Sequence, residues 1–497
     1  MTVTTAPDRP DAAREAAPGV RRSRAEAVND AEQRQLYKKR EPIYPKLVHG
    51  KFRSAKWAFM LAALGLYYAV PFIRWDRGPA APDQAVLIDF AGRRFYFFFI
   101  EIWPQEVYFV TALLIIAALA LFLVTALFGR VWCGYACPQT VWTDLFIAVE
   151  RIFEGDRNAR IRLDRASWST EKAARKTGKH AVWLLIAAAT GGAWILYFHD
   201  AFDLIGNFFT GEAQLSSYLF FGLLTFTTYT LAGTMREQVC TYMCPWPRIQ
   251  AALTDEEALN VTYRVDRGEP RGAHKKGASW EGRGDCIDCK ACVAACPMGI
   301  DIRNGPQLEC IHCALCIDAC DEIMGKVGRP LGLIAYDTED NIERRLRGEP
   351  SRFRFVRPRT IFYAVALVAV TAITLFALLT RATMDVTAQR DRNPNYVRLS
   401  SGDIRNGYTI KAVNKLHEAR DYWLEIQSVE PVTTSVLGQD DMVLSVGPDS
   451  TRDFRIFVTL SRGEIDSASE PLVFRIEDPS TGEESVTRSV FITGGGS

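Results

Sequence analysis

Apolar positions are spread unevenly along this chain. Five windows are apolar and nearly free of charge over lengths close to one bilayer crossing: 57–73, 107–128, 181–198, 215–233 and 361–380. The first and third sit at the short end of that range. The first window also begins behind a long polar stretch, which is not how a signal peptide is arranged. From about residue 395 the pattern changes to short alternating segments divided by turn residues, among them GYTIKAV, DYWLEIQ, RDFRIFVTL and SVTRSVFITG. A period of two predicts strands, and about six or seven of them predict an antiparallel β-sandwich of immunoglobulin-like type. The aromatic stretch 95–103, FYFFFIEIW, lies in the loop 82–106 and fits a strand or a short interfacial helix equally well.

At 497 residues the chain is long enough for several domains. The net charge of +1 is uninformative, but the placement of the basic residues is not. Lys38, Lys39, Arg40, Lys46, Lys51, Arg53 and Lys56 precede the first window. Stretch 129–180 is also strongly basic, 234–360 ends in Arg352, Arg354, Arg357 and Arg359, and 199–214 has no lysine or arginine. The positive-inside rule therefore expects the N-terminus, 129–180 and 234–360 in the cytoplasm, with everything after about 381 outside. All twelve cysteines fall in the inward segments or at their membrane boundaries, where thiols stay reduced. The expected organisation is a disordered tail over 1–40, a membrane region over 41–259 and a dicluster ferredoxin domain over 260–340. A linker with the fifth helix follows over 341–394, then an external β-domain over 395–497. That last domain has no cysteine and a single histidine, His417, so docking of an external partner is its expected role, with a merely stabilising cap as the competing one.

The chemistry is concentrated in the cysteines. Cys286, Cys289, Cys292 and Cys296 read C-x2-C-x2-C-x3-C-P, and Cys310, Cys313, Cys316 and Cys320 repeat the spacing, with Asp321 where the proline would stand. This is the signature of a bacterial-type ferredoxin with two [4Fe–4S] clusters. A tight C-x2-C-x2-C loop supplies three thiolates, and the fourth comes from the other run. One cluster is thus assigned to Cys286, Cys289, Cys292 and Cys320, and the other to Cys310, Cys313, Cys316 and Cys296. Zinc competes for C-x2-C pairs but has no need of the interleaved cysteines. His312, inside the second loop, can tune a cluster through a sulfur hydrogen bond or simply pack the loop. His180 and His199 bracket the third window too far apart to share a haem iron. No Rossmann or P-loop pattern supports nucleotide binding, and no nucleic-acid partner is expected.

A second motif occurs twice. Cys133 and Cys137 in RVWCGYACPQ follow the second window, and Cys240 and Cys244 in REQVCTYMCPWP follow the fourth. Each C-x3-C-P closes a two-helix hairpin, which reads as an internal repeat. On a continuing helix the two sulfurs of each pair share a face, and Pro138 and Pro245 bend or restart the chain beyond them. Two such pairs at one membrane depth can converge on a four-thiolate site suited to Cu(I), Fe–S or Zn, or cycle as dithiols.

The order of these parts resembles the cytochrome c oxidase accessory protein family known as CcoG, FixG or Rdx. The matching stretches are CGYACPQTVWTD, CTYMCPWPRIQ, YRVDRGEPRG, the block CIDCKACVAACPMGIDIRNGPQLECIHCALCIDACD, and DRNPNYVRLSSGDIRNGYTIKAVNK. The resemblance implies a multi-pass protein of the bacterial inner membrane that helps assemble the cbb3-type haem–copper oxidase. Its ferredoxin domain would be cytoplasmic and its C-terminal domain periplasmic, where assembly factors would dock. It also implies reduction of Cu(II) to Cu(I). The eight ferredoxin cysteines carry over residue by residue, as do Cys133, Cys137, Cys240 and Cys244, whose contact with copper is inferred from softness and position. The electron donor is not identified. Two competing readings are a quinol-oxidising electron-transfer subunit, since the cysteine motifs also resemble the membrane quinol dehydrogenases of periplasmic nitrate and nitrous oxide reduction, and a non-catalytic assembly scaffold.

Overall fold

The computed structural model describes residues 42–79, 81–275, 277, 279–461 and 468–494, so the tail expected over 1–40 lies outside the described residues. The chain forms two compact units. One comprises Met1–Val70, Val110–Phe198 and Asp203–Ala369; the other comprises Pro71–Phe109, His199–Phe202 and Val370–Ser497.

Among the described residues, four helical stretches are long and apolar enough to cross a membrane: Lys51–Phe72, Pro104–Phe128, Leu215–Met235 and Pro358–Leu379. The third window, 181–198, falls instead in the helix Thr170–Ile195. Its first turns carry Lys172, Arg175, Lys176 and Lys179, which leaves too short an apolar run for it to count with the others. Thr190 ties this helix to its neighbours. Its Oγ1 accepts from Trp142 Nε1 at 2.9 Å and lies 2.9 Å from the Tyr68 hydroxyl, while its carbonyl accepts from Tyr67 at 2.7 Å. Polar side chains joining helices in this way replace the hydrophobic drive that lipid removes.

The cysteine-rich lobe of the first unit is built on a local repeat. Asp288 and Lys290 in the first cysteine loop, and His312 and Ala314 in the second, all have φ between 52° and 59°. Each C-x2-C-x2-C segment therefore turns back on itself at the same two places. Short helices Ala291–Ala295 and Leu315–Lys326 follow these loops, and the antiparallel pair Asn260–Tyr263 and Ile334–Asp337 covers them. Val261, Tyr263, Val293, Ile317, Met324, Leu333 and Ile334 form the surrounding core. Asp318 of the longer helix also caps the first membrane helix, accepting from Phe52 N at 3.3 Å and from Arg53 N at 2.7 Å.

The second unit contains a sandwich of one five-stranded and one four-stranded antiparallel sheet. Strand Ile404–Asn414 pairs along its whole length with Ser450–Leu460 and on its other side with Met384–Arg390. The sandwich thus begins before residue 395, within the stretch expected to be a linker. Its first strand, MDVTAQR, alternates as the later ones do, with Met384 and Val386 facing the core, but it stands close behind an apolar helix. Alternate residues point inward, among them Tyr408, Ile410, Ile456, Leu472, Phe474 and Ile476. The Tyr408 hydroxyl donates to the Val490 carbonyl of the opposite sheet at 2.9 Å. The aromatic stretch 95–103 is strand rather than helix, within a three-stranded sheet of Val86–Asp89, Arg94–Phe97 and Ile100–Ile102.

Candidate metal centre

The eight ferredoxin-type cysteines line two cavities. One is lined by Cys286, Cys289, Cys292 and Cys320, with Tyr263, Arg303 and Met324 among its walls. The other is lined by Cys296, Cys310, Cys313 and Cys316, with Cys292 also in its wall. Each run of cysteines therefore sends its fourth member to the other run's cavity. Burial pushes the thiols of Cys292, Cys296 and Cys310 up to about 12 and raises those of Cys289, Cys316 and Cys320 as well. Such thiols become ligands only when a bound cation offsets the buried charge. Loops with repeated left-handed residues also gather backbone N–H groups around a concavity, a recurrent feature of Fe–S sites. Four soft donors per cavity in that setting fit a thiolate-ligated iron–sulfur group. Arg303 is fixed at the first cavity by Asp288 and Asp301, each at 2.6 Å.

The C-x3-C-P pairs do not ride on continuing helices. The helix Tyr108–Phe128 ends at Gly129, whose φ of 57° suits a left-handed C-cap, and Cys133 occupies the short turn Val131–Tyr135. Cys137 is extended at φ −62°, ψ 128°, and Pro138 opens the next helix, Pro138–Glu154. In the second motif Cys240 lies in the π-helical turn Val239–Met243, and Cys244 is extended at φ −80°, ψ 122° before Pro245. The cause is steric, because proline disfavours the helical conformation in the residue before it. Both motifs close with the same hydrogen bond to the carbonyl five residues back, Cys137 N to Trp132 at 2.9 Å and Cys244 N to Val239 at 2.8 Å.

The two motifs converge. Gln139 Nε2 donates to the carbonyls of Leu231 at 2.8 Å and Arg236 at 3.2 Å, and Glu150 pairs with Arg236 at 2.5 Å. Burial raises the Cys133 and Cys240 thiols to about 12, and cysteines of both motifs push them further in the same direction, Cys137 foremost. The Cys133 thiol donates to Gln250 Oε1 at 3.2 Å, and the Arg130 charge partly counteracts the rise.

This thiol group packs directly on the second cysteine loop. A Cβ placed on Gly134 would lie 2.7 Å from the Ile311 carbonyl and 3.0 Å from Cys313 Cα, so only glycine permits the approach. Tyr135 donates to the Cys313 carbonyl at 3.3 Å. The Arg130 guanidinium donates to the carbonyls of Leu308, Cys310 and Pro247, bridging the loop to the second motif. His312 packs the loop: its Nδ1 accepts the Arg130 backbone N–H at 2.9 Å, and burial pushes it down to about 3. A further cavity contains Cys240 beside Met298 and Ile311, two residues that also wall the cavity of Cys296, Cys310, Cys313 and Cys316. Sequence reading passed over Arg130, Gly134 and Gln250. The one available signal was an arginine and a glycine crowded around a cysteine at the end of an apolar run.

Residues 235–339 match a family model described as a 4Fe-4S dicluster domain, and 110–154 match one described as a 4Fe-4S binding domain. Residues 374–494 match the IG-like fold at the C-terminus of FixG. Nitrogen fixation protein FixG of Rhizobium meliloti is 50% identical, over 94% of this chain and 96% of its own length. Protein RdxB of Cereibacter sphaeroides is 51% identical over 91% and 96%. A crystal structure of a FixG-related protein from Vibrio parahaemolyticus aligns at 22% identity with a TM-score of 0.20, covering 22% of this chain and 96% of that one. With about half its residues shared along nearly its whole length, and its cysteine runs inside 4Fe–4S models, the chain belongs to the FixG/Rdx family and is a membrane protein of iron–sulfur redox type.

Proposed function

We propose that this chain is a membrane iron–sulfur cupric reductase, reducing Cu(II) to Cu(I) for assembly of a cbb3-type oxidase. The observation that carries this reading is the wall of Met298 and Ile311 shared by the Cys240 cavity and the cavity of Cys296, Cys310, Cys313 and Cys316. Cys286, Cys289, Cys292 and Cys320 would hold one [4Fe–4S] cluster, and Cys310, Cys313, Cys316 and Cys296 the other. Such clusters, when bound, supply electrons one at a time. Cys133, Cys137, Cys240 and Cys244 take copper as substrate. Their thiolates favour Cu(I) over Cu(II), which makes bound Cu(II) easier to reduce. Arg130 eases the loss of the Cys133 proton. One Cu(II) accepts one electron from the reduced protein and leaves as Cu(I). The oxidase context comes from the family resemblance. The helix Thr170–Ile195 would act as a fifth span, since Leu184 and Leu185 are exposed on it and Thr190 locks its other side to neighbouring helices.

A second reading follows from the 4Fe-4S binding model over 110–154, which includes Cys133 and Cys137. In that reading the four C-x3-C-P thiols hold iron–sulfur rather than copper, and the protein passes electrons from a quinol to a partner. Anaerobic mixing of the reduced, iron-loaded protein with Cu(II) separates the two, following reoxidation in the visible band and chelated Cu(I) together. Stoichiometric Cu(I) is expected, slowed by about tenfold or more in Cys133→Ser and Cys240→Ser with iron content unchanged. Protein that ignores Cu(II), is reoxidised by a quinone, and loses iron in the serine variants would overturn the reductase reading.

A further inference from the structure

One group of metal-ligand side chains in the second unit has no part in the thiol chemistry. Glu101 lies on strand Ile100–Ile102, His417 follows strand Ile404–Asn414, and Asp449 directly precedes strand Ser450–Leu460. Each offers one ligand atom, and the three atoms lie within 4.8 Å of one another. Glu101 and Asp449 are both 5% exposed, while His417 is at the surface. Asp449 Oδ2 is engaged by Arg94, but its buried Oδ1 has no hydrogen-bond partner. An unsatisfied buried carboxylate oxygen is costly, and a cation would remove that cost.

The surroundings hold these groups in place. Asn414 donates through Nδ2 to the carbonyls of Glu418 at 2.7 Å and Gly447 at 2.8 Å, and its Oδ1 accepts from Leu416 N at 3.0 Å. Asp449 N donates to the Leu416 carbonyl at 2.7 Å, so the loops carrying His417 and Asp449 are joined through both backbone and side chain. Asp449 itself sits at φ 45°, an uncommon conformation for a residue with a side chain, and one often found at functional positions. Arg94 also pairs with Glu101 at 3.0 Å, so one guanidinium faces two buried carboxylates.

We propose that Glu101, His417 and Asp449 form a binding site for one divalent first-row transition-metal ion. One imidazole with two carboxylates suits Zn²⁺ or Mn²⁺ and lacks the soft sulfur that selects Cu(I). The site is separate from the cysteines and does not depend on what they bind.

Mn²⁺ is the probe of choice, because thiolates compete for it poorly. The detergent-solubilised, iron-loaded full chain is titrated with Mn²⁺, and the free ion is read by electron paramagnetic resonance. About one Mn²⁺ per chain is expected to bind and to be displaced by Zn²⁺. His417→Ala and Asp449→Asn are each expected to weaken binding about tenfold or more, with the visible iron–sulfur absorption unchanged. His417 is exposed, so its replacement tests the site even if the Asp449 variant fails to fold. No uptake of Mn²⁺ by the unaltered chain, or equal affinity in His417→Ala, would overturn the proposal.

Discussion

The contact between the C-x3-C-P thiols and the second cysteine loop depends on a missing methyl group. Gly134 meets backbone atoms of Ile311 and Cys313, which cannot rotate away as a side chain end would. Gly134→Ala is therefore expected to force the two segments apart, at a cost of about 1–3 kcal/mol typical of overpacking. Thermal loss of the visible iron–sulfur band checks the stability, and the rate of Cu(I) formation checks the coupling. Both should fall, whereas Ala136→Gly, two residues on, should leave the rate unchanged. The ferredoxin-type cysteines were legible from spacing because each loop is local and its turns repeat at fixed positions. The C-x3-C-P geometry was misjudged, though the signal was present. A cysteine before proline is pushed out of the helix, and Cys137, Cys244 and Cys296 all obey that rule.

At the scale of elements, buried ion pairs join helices distant in sequence. Arg53 on the first membrane helix meets Asp144 on helix Pro138–Glu154 at 2.9 Å, with Lys56 at 3.9 Å. Burial pushes the Asp144 carboxyl up, but Lys56 and then Arg53 outweigh it, and the carboxyl stays below the ordinary aspartate range. A depressed carboxylate contributes stability above its unfolded value, and that contribution is lost as pH falls through the folded one. Stability from this pair should therefore be level near neutrality and decline below about pH 4. Asp144→Asn should remove that part of the acid-side decline and lower stability at neutral pH by roughly 3–5 kcal/mol, because two buried cations lose their partner. Melting followed by helical circular dichroism across that pH range measures both. Pairings of this kind were invisible in the sequence, where Arg53 and Lys56 registered only as positive charges near a membrane end. The later strands of the sandwich were legible from alternation. Its first strand was not, because it follows closely on an apolar helix, and its alternation was hidden behind that run.

For the whole molecule, the basic-residue bias sets the expected sidedness: cysteine lobe inside, β-sandwich outside. Alkaline phosphatase, which folds only outside the cytoplasm, should be active when fused after residue 494 and inactive when fused after residue 347. The reverse result would place the thiol chemistry on the oxidising side and remove the ground for reduced cysteines there. Among the described residues four helices meet the criteria for a crossing, an even count that would leave the segments flanking them on one side. With the segment before the first helix inside, the expected fusion result requires Thr170–Ile195 to complete a fifth.

The cap that Asp318 places on the first membrane helix bears on how the protein is made. Phe52 and Arg53 receive their amide partner from a residue more than half the chain away, 265 positions on from Arg53. A nascent chain that has not yet reached Asp318 holds a membrane helix whose opening turn lacks this partner. Asp318 lies between two cysteines, Cys316 and Cys320, so the same short helix that closes around the thiol cavities also finishes the start of the first span. Completion of the first membrane helix and of the cysteine lobe thus both wait on the same segment of chain.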